Sequence, residues 1–292
     1  MIEIFNTISN IAKNLEENVF VNCQNFIKPE LGNEQIHQDV YQYCSEVIEK
    51  EFSLSKSVKA VVGKDRKGLD SKRQRTFRKK INENGKFLIS YVAIDNVDLL
   101  DVNFSLGTIF GVYLNSFEAD SLRAAIYITY GPTFQLIFAS KDEGVKFFSF
   151  EHGVFVQKES FVLKDKGNIN SPAGDMKTWS REHKELVESF FNEGYRLRMS
   201  DSLCLDTHQI LFKRGGIYSS PKTQKDPHGK LEVIFEAFPM AFIIEAAQGS
   251  AIDGQKRILD IKSPTIHQKT PIYFGSKKEI ARVFSKLKTG EQ

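Results

Sequence analysis

Tryptophan and cysteine are the scarcest residues of this chain, with one Trp and three Cys among 292 residues. Cys23, Cys44 and Cys204 form no CxxC and no paired spacing. An odd, sparse count of this kind excludes a disulfide scaffold and fits a reducing compartment. No apolar run approaches the ~20 residues that cross a bilayer; the longest, FPMAFIIEAA, is cut by Glu245. The N-terminal MIEIFNTISNIAKNLEE carries acids early and lacks an apolar signal core, so the expected location is cytoplasmic, with no membrane partner. A net charge of only +3 is not that of a nucleic-acid binder. There is no internal repeat, and GxGxxG, P-loop and HExxH patterns are missing.

What is present is ordinary globular material, 41% hydrophobic and 26% charged, long enough for one large or two modest domains. Ile4, Ile8, Ile11 and Leu15 recur at helical spacing, as do Ile36, Val40, Tyr43, Cys44, Val47 and Ile48. Two N-terminal helices are therefore expected, over 3–16 and 34–51. SVKAVV (57–62), KFLISYVAID (86–95) and NFSLGTIFGVYL (103–114) read as strands. AAIYITYG, TFQLIFAS, VKFFSFEHG and VFVQKESFVL follow, β-branched or aromatic and separated by polar or Gly/Pro breaks, which predicts a meandering antiparallel sheet.

KDKGNINSPAGD (164–175) reads as a linker. Beyond it, TWSREHKELVESFF is helical, LEVIFEA is a strand, FPMAFIIEAAQG is a helix ended by Gly249, and KKEIARVFSKLK is a closing amphipathic helix. The expected organisation is a helix-plus-antiparallel-sheet domain over 1–164 and an α/β domain over 165–292.

Two stretches carry more specific information. Residues 64–80 hold nine Lys or Arg against two Asp, which predicts an exposed hairpin or loop, or else an anion-binding patch. Phe77 is its only aromatic, so no base-stacking platform is implied and nucleic acid is not an expected partner. The second stretch, YVAIDNVDLLDVNFSLGTIFGVY (91–113), places Asp95, Asn96, Asp98 and Asp101 between an apolar run and a glycine-bearing tail.

That stretch resembles the core of the class I fructose-1,6-bisphosphatase family, a strand followed by D-P-L-D-G-S-S-N-I-D and S-I-G-T-I-F-G-I-Y. GKLEVIFEAFPMAFIIEAAQG (229–249) is similar to the family's G-K-L-R-x-L-Y-E-x-x-P-M-A-Y-x-x-E-x-A-G-G. ILDIKSPTIHQKTPIYFGS (258–276) is similar to its L-D-x-x-P-x-x-x-H-Q-R-x-P-x-x-x-G-S. The resemblance runs in order across most of the chain. It implies an α/β (α+β) fold, a layered αβαβα sandwich with its site between two halves. It also implies Mg²⁺-dependent removal of the 1-phosphate from a sugar bisphosphate, the chemistry of gluconeogenesis, in a protein that is commonly a homotetramer.

Carried over by position, the resemblance keeps Asp95 and Glu236 as metal ligands, but its first turn Asp falls on Val92. The family's S-E-E-D falls on Gly63, Lys64, Asp65 and Arg66, so that one glutamate becomes a lysine and the other a shorter acid, Asp65. The G-S-S phosphate cradle becomes Asn96, Val97 and Asp98, with Asp98 placed against the substrate. Asp39 matches a catalytic-region acid, and Asp65 is a second catalytic candidate. Lys230 and Arg198 match cations that reach the far phosphate, Arg198 across a subunit boundary. Met199 and Ser220 stand at positions of phosphate-contacting tyrosines.

The expected ligand charge is about minus two where the family has about minus five, supporting one Mg²⁺ ion at most, or none. Lys64 can then pair with Asp95 and Glu236 as a tethered cation. Three functions follow. The chain binds a sugar bisphosphate or another small phosphorylated ligand with weak or no phosphatase activity; or it is an active sugar-bisphosphate 1-phosphatase using a rebuilt one-metal site; or it is a non-catalytic interaction subunit. A homo-oligomer is expected in each case.

Overall fold

A computed structural model describes residues 1–20, 26, 32–64, 77–160, 162–262 and 265–289. Eight strands form the larger sheet: β1 (Val58–Gly63), β2 (Phe77–Lys80), β3 (Phe87–Asp95), β4 (Leu106–Leu114), β5 (Leu122–Tyr130), β6 (Gln135–Ser140), β7 (Gly144–Glu151) and β8 (Val154–Lys158). Their spatial order is β2-β1-β3-β4-β5-β6-β7-β8. From β3 onward this is the expected antiparallel meander, while β1 lies parallel to β3. β2 pairs antiparallel with β1, so the ends of the basic run lie on neighbouring strands; residues 65–76 fall outside the described residues.

Alternation along these strands loads both faces of the sheet with apolar residues. Ile89, Tyr91, Ala93, Phe110 and Ile126 share one cluster with helices α1 (Ile2–Leu15) and α2 (Asn33–Ser53). Leu88, Val92, Ile109, Tyr127 and Ile137 belong to a second cluster, shared with α4 (Leu203–Phe212) and α5 (Phe238–Ala246). That cluster also takes in Tyr218 and Phe274 of a smaller, five-stranded sheet. The smaller sheet orders β10 (Arg196–Leu197), β9 (Ile169–Pro172), β11 (Ile217–Ser220), β15 (Ile272–Gly275) and β13 (Ser250–Ile252). Its other face packs on α3 (Arg181–Asn192) and α6 (Lys277–Thr289) through Leu186, Phe190, Ile280 and Val283. Helix, sheet, helix, sheet, helix is the expected five-layer order.

Three local readings are corrected, and one helix is added. The segment 164–175 is not a linker throughout, because Ile169, Asn170, Ser171 and Pro172 form β9, buried between β10 and β11. Its polar composition misleads because Asn170 and Ser171 sit inside a packed sheet. The strand expected over LEVIFEA is only β12 (Leu231–Glu232), paired with β14 (Lys269–Thr270), before Val233–Ala237 coil into a π-helical turn. Helix α5 ends through Gln248, whose φ of 65° makes it the left-handed residue in place of Gly249. Helix α4 was not anticipated, because LCLDTHQILF groups its polar residues in one central run between apolar ends and so shows little helical periodicity.

Candidate functional site

The last residues of β1 and β3 and the turn after β3 face the N-terminus of α4 and the β12 turn. Between them lies a cavity of about 420 Å³. Several contacts hold its walls in register. The Ile234 carbonyl in the π-helical turn accepts hydrogen bonds from Ser90 Oγ and Tyr113 OH, each at 2.8 Å, and this fixes the turn that presents Glu236. A side chain at Gly111 would collide with Tyr113 and Ser90, its Cβ lying 2.6 and 2.7 Å from their atoms. At Gly107 a Cβ would lie 2.5 Å from that of Cys204, so glycine there lets α4 close on the sheet.

Asp95 ends β3 against the first turn of α4. Its Oδ2 accepts from Ser202 Oγ and from the Cys204 backbone N–H, both at 2.7 Å. Ser202 also caps α4 by accepting from the Leu205 N–H. Asp95 is thus a carboxylate seated on a helix N-terminus, where the free N–H groups favour negative charge. Burial nevertheless pushes its pKa above the usual range, against the pull of those hydrogen bonds. The following residue, Asn96, has φ 57° and ψ 79°, the left-handed conformation that asparagine tolerates better than most residues. It reaches across the cavity, its Nδ2 donating to the Asp201 carbonyl at 2.8 Å.

Lys64 leaves β1 with its backbone pinned: its N–H donates to the Tyr91 carbonyl at 2.8 Å, and its carbonyl accepts from Tyr41 OH at 2.6 Å. Its amine lies 2.6 Å from Glu236 Oε1. The other oxygen of Glu236 accepts from the Glu232 N–H at 2.8 Å. Burial works against the charge on Lys64, but Glu236, and less strongly Glu232 and Asp95, outweigh it and hold the amine above its ordinary value. Val92 is 3% exposed, lines the cavity and packs in the inter-sheet core.

Of the residues predicted from sequence, Asp95, Glu236, Lys230 and Asp98 line this one cavity, together with Lys64. Asp98 and Asp101 both point at His37 of α2, with Oδ1 atoms 3.2 Å from Nδ1 and 2.7 Å from Nε2. Asp39 lies along α2 away from the cavity, accepting from Gln35 Nε2 at 2.7 Å. Arg198 is exposed and turns back on the chain, its Nη1 donating to the Leu197 carbonyl at 2.9 Å. Asp65 lies outside the described residues.

Sequence reasoning missed Glu232, Asp206, Asp201 and Lys269, all of which line the cavity. Glu232 carried a signal: it stands where the quoted family pattern has arginine, a reversal of charge. Burial raises its pKa, while Lys64 pulls it down, and its Oε1 lies 3.5 Å from His267 Nδ1. Asp206 carried none. It sits inside the unanticipated α4, and burial pushes its carboxyl up to about 6. Among the described residues, no group of three or more His, Cys, Asp or Glu side chains is arranged to hold a metal ion.

Comparison with known proteins places this geometry. Residues 163–288 match the family described as "Fructose-1-6-bisphosphatase, C-terminal domain". A Campylobacter hominis protein named fructose-1,6-bisphosphatase class 1 is 40% identical over 291 residues, covering 97% of this chain and 98% of that one. A Campylobacter concisus protein of the same name is 39% identical over 96% of this chain and 95% of its own. The holo crystal structure of Leishmania major fructose-1,6-bisphosphatase superposes with a TM-score of 0.85 at 25% identity, over 97% of this chain and 92% of that one. The T-state structure superposes at 0.80. Whole-chain identity, five-layer architecture and a cavity at the family's turn agree, and the chain belongs to the class 1 fructose-1,6-bisphosphatase family.

Proposed function

We propose that this protein binds a phosphorylated sugar in the cavity between its two walls, and that phosphate hydrolysis through divalent ions is weak or lost. The observation that carries this reading is the 2.6 Å contact between the Lys64 amine and Glu236 Oε1. Magnesium needs hard oxygen ligands in near-octahedral array. Here an ammonium group holds one oxygen of the retained glutamate, a backbone N–H holds the other, and one oxygen of Asp95 is committed to the start of α4. Val92 adds no donor at all. Together these described residues do not fit a pair of magnesium ions.

Lys64 supplies one fixed positive charge in their place. A tethered ammonium steadies Glu236 and compensates its charge, but it cannot generate a nucleophilic hydroxide as a bound divalent ion does. The reading allows at most one Mg²⁺, held with help from Asp65. Lys230 takes the ligand's phosphate, and Arg198 reaches a neighbouring copy within a cytoplasmic homo-oligomer. The two walls correspond to units proposed at 1–164 and 165–292.

The test is phosphate release from fructose 1,6-bisphosphate with Mg²⁺ or Mn²⁺, run beside sugar-phosphate protection against thermal unfolding. The expected result is protection with no turnover above background. Turnover at an ordinary enzyme rate, ~1–10³ s⁻¹, overturns the reading.

A further inference from the structure

Buried polar groups in folded proteins are nearly always hydrogen-bonded, and a buried tyrosine hydroxyl that is not calls for a reason. Eight of the nine tyrosines of this chain are buried. Six of them, Tyr41, Tyr91, Tyr113, Tyr127, Tyr130 and Tyr195, spend the hydroxyl on a protein partner at 2.6 to 3.2 Å. The other two, Tyr218 and Tyr273, have no hydrogen-bond partner among the described residues, yet neither hydroxyl is sealed off as Asp206 Oδ2 and Ser219 Oγ are. Each of these two lines a cavity, Tyr218 that of the candidate site and Tyr273 a second one.

Tyr218 is fixed in advance. On β11 it stands directly opposite Phe274 of β15, and the two rings stack with centroids 4.8 Å apart inside the inter-sheet core. The residue as a whole is only 4% exposed. Alternation along β11 puts Tyr218 and Ser220 on one face, and both line the cavity. Asp206, Asp95, Glu236 and Asp201, the carboxylates whose charges act on the phenol, line the same cavity, which places the hydroxyl end of the ring on that side. Burial, reinforced by those charges, holds the phenol well above the ordinary tyrosine range, so the hydroxyl stays a proton donor.

Resting on the function proposed above, we infer that Tyr218 is a ligand-binding residue of this cavity, its hydroxyl donating a hydrogen bond to an oxygen of the sugar phosphate. A hydroxyl without a protein partner adds nothing to folding stability and acts only when a ligand acceptor meets it. The stacked ring gives up little rotamer freedom on binding, so the hydrogen bond is gained at small entropic cost. Affinity and stability therefore respond differently to the loss of this one oxygen atom, and that difference separates a ligand role from a structural one.

Calorimetric titration of the full chain with fructose 6-phosphate, run beside thermal unfolding without ligand, tests this. Tyr218→Phe keeps the stacked ring. It should bind about tenfold more weakly, the loss expected for one missing ligand hydrogen bond, and should unfold at or above the parent's midpoint. Tyr113→Phe is the contrast: its hydroxyl donates to the Ile234 carbonyl at 2.8 Å, so its removal should lower the midpoint. A loss of affinity under about threefold in Tyr218→Phe overturns the inference and leaves the broader function standing. A midpoint that falls as far in Tyr218→Phe as in Tyr113→Phe assigns the hydroxyl to the fold and overturns it as well. No binding of the sugar phosphate by the parent chain overturns both readings.

Discussion

The two walls of the cavity differ in what they keep. The wall formed by β12, the π-helical turn, α5 and β14 carries the motif runs 229–249 and 258–276 with most of the family's pattern intact. The wall formed by the ends of β1 and β3 keeps the fold, and in the function proposed above it exchanges its chemistry: Lys64 is read there as standing for a glutamate, Val92 for an aspartate, and Asn96-Val97-Asp98 for the cradle. Val92 on one wall and Glu236 on the other are alike nearly inaccessible. Packing constrains side-chain volume and backbone conformation, whereas metal chemistry constrains charge and donor atoms. The two demands can therefore part company within one site.

The sharpest way to break this comparison is to remove the charge that joins the walls. Lys64→Met leaves Glu236 buried without its cation, and unpairing a buried ion pair typically costs about 3–5 kcal/mol. Chemical denaturation should show a loss of that size. Lys64→Met combined with Glu236→Gln should recover much of it, because no uncompensated charge remains. A loss under about 1 kcal/mol in the single variant would mean that Lys64 does not neutralise the site.

Restoring the exchanged acids sharpens the comparison from the opposite side. Lys64→Glu with Val92→Asp adds two carboxylates to the cavity lining that holds Asp95 and Glu236, and hard divalent ions follow carboxylate count. Calorimetry with Mn²⁺ should show affinity at least tenfold above the parent chain. No gain would place the obstacle in the backbone geometry, not in these two side chains.

A third measurement uses pH. Asp206, buried at the start of α4, is raised to about 6 from an ordinary value near 4. A carboxyl with a raised folded-state pKa binds more protons folded than unfolded, so its contribution to stability falls as pH rises. The window runs from about pH 4 to about pH 7, and a shift of two units corresponds to roughly 2–3 kcal/mol. Asp206→Asn should flatten that part of the stability profile relative to the parent. Glu232, also raised by burial, remains in both proteins and drops out of the difference, whereas Asp95, whose charge helps to raise Asp206, titrates together with it in the parent. An identical slope in the two would show that Asp206 stays ionised throughout.

Much of the fold was legible because apolar periodicity reports it directly. Ile4, Ile8 and Ile11 mark α1, and the β-branched and aromatic runs of β3 to β6, parted by polar or Gly/Pro breaks, mark the meander. The misses have a common cause. β9 is built from Ile-Asn-Ser-Pro, and α4 sets its four polar residues Asp206 to Gln209 in one run between apolar ends, so each owes its form to what surrounds it rather than to its own pattern. The site was half legible. Asp95, Glu236, Lys230 and Asp98 could be placed by motif, while Asp206 and Lys269 enter only when α4 and the β12–β14 ribbon fold against the β3 turn. Glu232 was visible as a departure from the pattern, but its meaning depends on Lys64 lying nearby in space, 168 positions away in sequence.

The smallest effect tests whether Asp95 holds the two walls together. Ser180 and Ser202 cap α3 and α4 alike, accepting from the His183 N–H and the Leu205 N–H, each at 3.2 Å. Removing such a cap costs about 1 kcal/mol in an ordinary setting, and Ser180→Ala should cost that much. Ser202→Ala removes the same cap and also takes a donor from the buried Asp95 carboxylate. Leaving a buried acceptor short of a partner adds about 1–3 kcal/mol, so the second variant should be clearly the less stable. The Cys204 N–H stays in place, which keeps the excess toward the lower end of that range. Equal costs in the two variants would mean that Asp95 draws no stability from Ser202. Its carboxylate would then be available as a ligand, and the case against metal at this wall would rest on Lys64 and Val92 alone.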